Sequence, residues 1–201
     1  MVAKEKTGIK IPRNYRDAVN DPIYGSKWKE AIAKELTALI SFGTWRFIPR
    51  KQAEGTASST RWVFDVKLGL DGRINRFKAR LVARGNEQSA EDFDNTFAPV
   101  LWLESLCILM AIAAQYGMTA HMLDAHNAFV GSDLDKPNCM KIPEGLQDFD
   151  ADARSGMVLE LKKSLNGLRQ SANLWHRKIS SFLKKLGFKP ITADLSVFIN
   201  G

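Results

Sequence analysis

Apolar residues recur every third or fourth position through "SKWKEAIAKELTALISFG", residues 26–43. Trp28, Ile32, Leu36, Leu39 and Ile40 form one stripe, so the spacing predicts an amphipathic helix. Ser26 is placed to cap its start and Gly43 to end it. The period then changes. "RWVFDVKL" (61–68) and "INRFKARLVA" (74–83) alternate polar and apolar positions and predict two strands, joined around the turn signal "GLDG". In the second strand Phe77, Ala79, Leu81 and Ala83 project to one face. Arg76, Lys78, Arg80 and Arg84 project to the other, with Val82 among them. One face can be buried and the other is a ladder of positive charge.

Elsewhere the pattern is less regular. "TWRFIP" predicts a short strand, and "RKQAEGTASST" a small polar loop. Residues 103–116 carry "LCILMAIAA", apolar nearly all round, which predicts a buried helix stopped by Gly117. "MTAHMLDAH" predicts a buried strand ending at an acid. "NCMKIP" and "MVLELKKSL" predict further strands across an acidic loop. "SANLWHRKISSFLKKLG" predicts a last helix with the stripe Leu174, Trp175, Ile179, Phe182, Leu183 and Leu186. "DLSVFI" opens one more strand. Residues 1–20 are polar and read as extended or loosely ordered. Helices and strands mix without βαβ alternation, so the expected class is α+β.

Charge sharpens the picture. The 201 residues carry 29 Lys and Arg against 22 Asp and Glu, a net +7. That excess favours an anionic partner, nucleic acid foremost. Cys107 and Cys139 have no metal-ligand spacing, which points to a reducing, intracellular compartment, cytoplasmic or nuclear. No apolar run reaches the roughly 18 residues of a membrane span, and the N-terminus lacks a signal-peptide core. No membrane partner is expected.

Three places could carry chemistry, and each also has an ordinary explanation. The ladder is either a solvated strand face or a phosphate-binding hairpin, helped by Arg61, Lys67 and Arg73. Asp124 follows an apolar run, where it is either a cap or a metal ligand. Gly167, Arg169 and Gln170 in "SLNGLRQSANLW" form either a plain turn or the lip of a pocket at a helix start. The three histidines form no metal spacing, and no Ser-His-Asp, His-Cys or Walker-type arrangement occurs.

Taken in order, "WKEAIAKELTALISFGTW", "RWVFDVKLGLDGRINRFKARLVARG", "DFDNTFAPV", "HMLDAHNAFVGSDL", "MKIPEG", "LKKSLNGLRQSANLWHRKI" and "LGFKPITADLSVFI" resemble the reverse transcriptase domain of copia-type retrotransposon polyproteins, over about residues 26–199. The resemblance implies the fingers and partial palm of a right-hand polymerase. Residues 1–25 would be an N-terminal extension, 26–117 a fingers-like region with the basic β-hairpin, and 118–201 a partial palm. The implied activity is RNA-directed DNA polymerisation, a nucleotidyltransferase reaction using dNTPs on an RNA template with a DNA primer. The basic hairpin corresponds to the element that closes on the triphosphate and template. Lys78, Arg80, Arg84, Phe129 and Gln170 would bind nucleotide, with Phe129 packing on the sugar and excluding a 2′-hydroxyl. Arg76, Gly167 and Arg169 would meet the template. Asp124 would be catalytic, ligating Mg²⁺ with the backbone carbonyl of Ala125, since hard cations take oxygen ligands.

The sequence also departs from that pattern. The family's further catalytic acids lie in a Tyr-x-Asp-Asp hairpin, and no Asp-Asp pair occurs here. One carboxylate falls short of what two Mg²⁺ ions require, and the acidic loop "DFDADAR" does not match the hairpin's position. Trp102 and Cys107 replace basic positions, Asn166 replaces an aromatic, and "FVGS" stands where an Asn-Gly pair is usual. The expectation is therefore a polymerase domain cut before its catalytic hairpin and inactive by itself. The alternatives are a non-catalytic nucleic-acid-binding remnant and a decayed fragment that folds poorly.

Overall fold

The computed structural model describes residues 5–6, 8–55 and 57–200. In chain order the elements are β1 (Glu5–Lys6), β2 (Ile9–Lys10), α1 (Tyr15–Val19), α2 (Gly25–Ser41), β3 (Trp45–Pro49), β4 (Thr60–Leu68), β5 (Ile74–Ala83), α3 (Leu103–Gln115), β6 (Asp133–Met140), β7 (Met157–Lys163), α4 (Ser171–Lys185), β8 (Lys189–Pro190) and β9 (Phe198–Ile199). Every pairing between these strands is antiparallel, and helices are interspersed without βαβ units. The expected mixed α+β class holds.

α2 begins one residue before the expected cap. Asp21 accepts the N–H groups of Ile23 and Tyr24, and Tyr24 occupies the cap position. Ser26 therefore lies inside the first turn and caps nothing. At the other end Gly43 adopts φ +60°, and Thr44 N–H reaches back to the carbonyl of Leu39, the left-handed stop that glycine permits. Trp28, Ile32, Leu36 and Leu39 are buried, while Ile40 faces out.

The buried stripe of α2 meets the underside of the β4–β5 hairpin. Trp62 pairs with Leu81, Phe64 with Ala79 and Val66 with Phe77, and all six point into the main core. Trp28 stands edge-on to Phe64 and Phe77 at 5.3 and 4.6 Å, the geometry favoured by ring quadrupoles. Tyr24 and Tyr15 extend this chain of rings at its two ends, against Phe77 and Trp62.

The N-terminal stretch is more ordered than its polarity suggested. Asn14 caps α1 by accepting the N–H of Asp17, and Ile9, Ile11 and Ala18 are buried in the same core as Trp28. Three scattered apolar residues make no helical stripe, so their burial left no pattern to read. The expectation for residues 1–4 and 7 falls outside the described residues.

β3, β7 and β6 form a second sheet in that order. Its inner residues Met140, Leu159 and Leu161 join the main core.

Two expectations fail. α3 spans the expected residues, yet none of its residues is buried. Ile108 is 60% exposed and Met110 54%. "MTAHMLDAH" forms no strand and is exposed throughout, with Met122 and Leu123 almost fully accessible. A strand needs a neighbour to satisfy its backbone groups, and no described strand pairs with this stretch. Apolar composition favoured burial there, but no element covers it.

Candidate nucleic-acid interface

The outer face of the β4–β5 hairpin is set by strand alternation alone. Arg61 lies opposite Val82, Val63 opposite Arg80, Asp65 opposite Lys78, and Lys67 opposite Arg76. Five of these eight side chains are cationic and one is acidic. A register shift at Lys67/Leu68 lets the chain enter the turn, where Gly72 takes φ +73°.

Like charges crowd the centre of the ladder. The Lys78 ammonium is held below the ordinary lysine value, first by partial desolvation and then by Arg80, Arg76 and Lys67. Lys67 contacts Asp65 at 2.6 Å, but one carboxylate cannot balance the row. A row of cations held against mutual repulsion is a candidate anion-binding surface.

Glu35 of α2 stands behind this row. Its carboxylate accepts the N–H of Leu81 at 3.3 Å and so covers the outer edge of β5. Burial lifts its pKa above the ordinary glutamate value, against the N–H of Leu81 and the nearby Arg80 and Lys78.

The base of the hairpin rests on the loop ahead of α4. Ala83 N–H donates to Asn166 O at 2.8 Å, Gly85 N–H to Gly167 O at 3.1 Å, and Arg169 Nε to Gly85 O at 2.8 Å. The approach is close enough to demand two glycines. A Cβ on Gly167, at φ +93°, would lie 2.1 Å from Ala83 O, and one on Gly85 would lie 2.2 Å from Gly167 O. The Arg169 guanidinium also sits 5.4 Å above the Phe93 ring, a cation–π contact.

The candidate residues thus separate into groups. Arg76, Lys78, Arg80 and Arg84 share the hairpin, and Gly167 and Arg169 meet its base; all but the half-buried Lys78 are exposed. Gln170 lies in the interior, fully buried, with its amide bonded to Gln88 and the carbonyl of Asp92. Phe129 is half-buried in the turn before Val130. Asp124 and Ala125 are exposed in the irregular stretch after α3. Among the described residues, no three His, Cys, Asp or Glu side chains gather to hold a metal ion. The Asp124 carboxylate suits Mg²⁺ chemically, but the residues described do not form a two-metal site.

Pattern reading missed Gln88 and Asn138, both buried. Each follows or interrupts a strand motif in a polar context, which reads as loop. The closest available signal was the glycine pair at 85 and 167, which marks a close backbone approach. Among the described residues no helix is long and apolar enough to cross a membrane.

Comparison with known proteins follows this geometry. A family model described as "Reverse transcriptase (RNA-dependent DNA polymerase)" matches residues 42–201. The chain is 33% identical over 189 residues to the retrovirus-related Pol polyprotein from transposon RE1 of Arabidopsis thaliana, covering 94% of this chain and 12% of that protein. It is 31% identical over 188 residues to the corresponding polyprotein from transposon TNT 1-94 of Nicotiana tabacum, covering 93% of this chain and 14% of that one. It is 29% identical over 184 residues to the transposon Ty1-DR5 Gag-Pol polyprotein of Saccharomyces cerevisiae, covering 87% and 10%. The chain therefore spans about an eighth of the plant relatives' length. No solved structure matches it.

Proposed function

Because the chain belongs to the reverse transcriptase family, in its copia-type retrotransposon branch, we propose that it forms the nucleic-acid-gripping part of an RNA-directed DNA polymerase. In this reading the fingers-like region is 26–117 and the partial palm 118–201. One observation carries the proposal: the β4–β5 hairpin presents a cationic face and is backed by an apolar one packed into the main core.

The physical role of each group follows. Lys78, Arg80 and Arg84 engage phosphates of the incoming nucleotide, Lys78 as a point charge and the arginines as bidentate forks. Arg76 and Arg169, with the backbone at Gly167, face the template. The ring of Phe129 packs on the sugar. Asp124, with the carbonyl of Ala125, would offer oxygen ligands to Mg²⁺, which would supply Lewis-acid chemistry for phosphoryl transfer. Two such ions need more carboxylates than gather here among the described residues. The chain alone therefore binds a primed template and does not extend it.

The test uses a labelled DNA primer annealed to an RNA template. Affinity of the purified chain, measured by anisotropy, should fall steeply with salt. Arg76→Glu, at a template-facing position, should lower the slope of log affinity against log salt by about one, and Asp124→Asn should leave it unchanged. Salt-independent binding, or an unaltered slope in R76E, defeats the proposal. Primer extension above background that is abolished by Asp124→Asn would overturn the statement that the chain does not polymerise by itself.

A further inference from the structure

Three side-chain amides meet in the interior where the hairpin joins the rest of the chain. Gln88, Asn138 and Gln170 are 6%, 5% and 0% exposed. They come from three separate places: the turn after β5, the strand β6, and the residue that caps α4. Buried amides of this kind persist only when their donors and acceptors are matched.

Gln88 is the centre of the match. Its Oε1 accepts the backbone N–H of Arg169 at 2.9 Å. Its Nε2 donates to Asn138 Oδ1 at 2.8 Å and to Gln170 Oε1 at 3.1 Å. Asn138 Nδ2 passes on to the carbonyls of Asp92 and Lys136 at 3.0 and 3.1 Å. Gln170 Nε2 reaches the same Asp92 carbonyl at 3.3 Å. Only one orientation of the Gln88 amide works. Turned over, its NH₂ would face the Arg169 N–H, and its oxygen would face two amide oxygens.

The consequence lies on the surface above. Arg84 and Arg169 are both exposed, and Arg169 holds the carbonyl of Gly85, the residue after Arg84. The two cations flank one backbone contact. The angle of the hairpin over the α4 loop fixes whether they continue the ladder or diverge from it. The hairpin base is held there by the backbone bonds of Ala83 and Gly85, and from inside by the Gln88 side chain, which bonds the Arg169 backbone, β6 and the α4 cap together.

We propose that the Gln88–Asn138–Gln170 triad is a positioning device, keyed by Gln88, that locks the basic hairpin onto the loop ahead of α4 so that Arg84 and Arg169 extend the ladder as one phosphate-contacting surface. The inference rests on the nucleic-acid-binding reading above. None of the three amides touches nucleic acid. Gln170 acts from the interior.

Gln88→Glu is the discriminating variant. At pH 8 its carboxylate would face two amide oxygens with no proton to give. Once protonated, its hydroxyl can donate to one of them while its carbonyl still accepts from Arg169. Burial places that protonation above the ordinary glutamate range. Anisotropy with the primed RNA–DNA duplex at pH 8 should show the salt slope of Q88E lowered by about one, for the template-facing Arg169. The difference from wild type should close as pH falls to about 5.5. A merely structural role would change thermal stability and leave the slope alone. Gly85→Ala drives a methyl against Gly167 O at 2.2 Å and against Arg169 N and Gln88 Oε1 at 3.1 Å each, so it strains the same Gln88–Arg169 joint without a new charge, and must give the same loss of slope. An unchanged slope in either variant, or a gap in Q88E that acid does not close, overturns the proposal. If Q88E fails to fold at pH 8, G85A decides alone. Wild-type protein that binds without salt dependence removes the underlying reading, and this inference with it.

Discussion

α2 and α3 are both rich in apolar residues, and they meet opposite fates. α2 carries its apolar residues on one stripe and buries all of that stripe but Ile40 in the core it shares with the β4–β5 hairpin. α3 is apolar on nearly every side and buries none of its residues. A one-sided helix needs a single partner surface, and the hairpin supplies it from a nearby part of the chain. An all-round apolar helix needs cover on several sides at once, and none of the described elements provides it. Hydrophobic content tells how much surface a segment must hide, and its arrangement tells how many neighbours that takes.

The largest expected contrast breaks the comparison directly. Trp28→Ala removes the ring at the centre of the α2–hairpin contact and should cost about 3–5 kcal/mol. Ile108→Ala on α3 should stay within about 0.5 kcal/mol. Urea unfolding of the two variants measures both, and similar losses would mean that α3 is packed in solution.

Gly167→Ala comes next. It combines a left-handed backbone with a methyl driven at Ala83 O, and should cost about 1–3 kcal/mol. The same substitution at Gly117, where φ is +63° and a Cβ meets open space, carries only the conformational penalty of about 1 kcal/mol. Urea midpoints that do not separate the two would place the hairpin base further from the α4 loop.

The smallest effect tests Glu35. Its folded pKa is raised, so its contribution to stability is complete below the ordinary value near 4.5 and is lost as pH rises through the raised value. Glu35→Gln keeps an acceptor for Leu81 N–H without the buried charge. The variant should therefore lack this loss and be modestly the more stable at neutral pH. Thermal melts between pH 4 and 8 that run parallel for the two proteins would contradict the raised value.

These contrasts follow what could be read from the pattern alone. The hairpin was legible because strict alternation assigns every residue of β4 and β5 to a face, and Trp62, Phe64, Val66, Ala79 and Leu81 are buried as that alternation requires. Arg76, Lys78 and Arg80 were legible as a surface for the same reason. The exposure of α3 and of Met122 and Leu123 was not legible, because burial depends on a partner and periodicity reports only the segment itself. The interior amides Gln88 and Asn138 were invisible for the opposite reason. They look like surface residues until distant parts of the chain, Gln170 among them, bring their donors and acceptors together. Tyr24 similarly displaced Ser26 from the cap position of α2, after a turn in which the Asp21 carboxylate accepts the N–H groups of Ile23 and Tyr24.

The chain of rings beneath the hairpin has an optical consequence. Trp28 and Trp62 sit in the dry core, at 0% and 6% exposure, while Trp102 at the start of α3 is 63% exposed. Indole emission shifts to longer wavelength in water, so once the half-buried Trp45 and Trp175 are replaced by Phe, the blue edge of the spectrum reports the α2–hairpin core and the red edge reports the entrance to α3. An aqueous quencher should darken the red edge first. A single fluorescence titration can therefore follow the two regions separately without any added label.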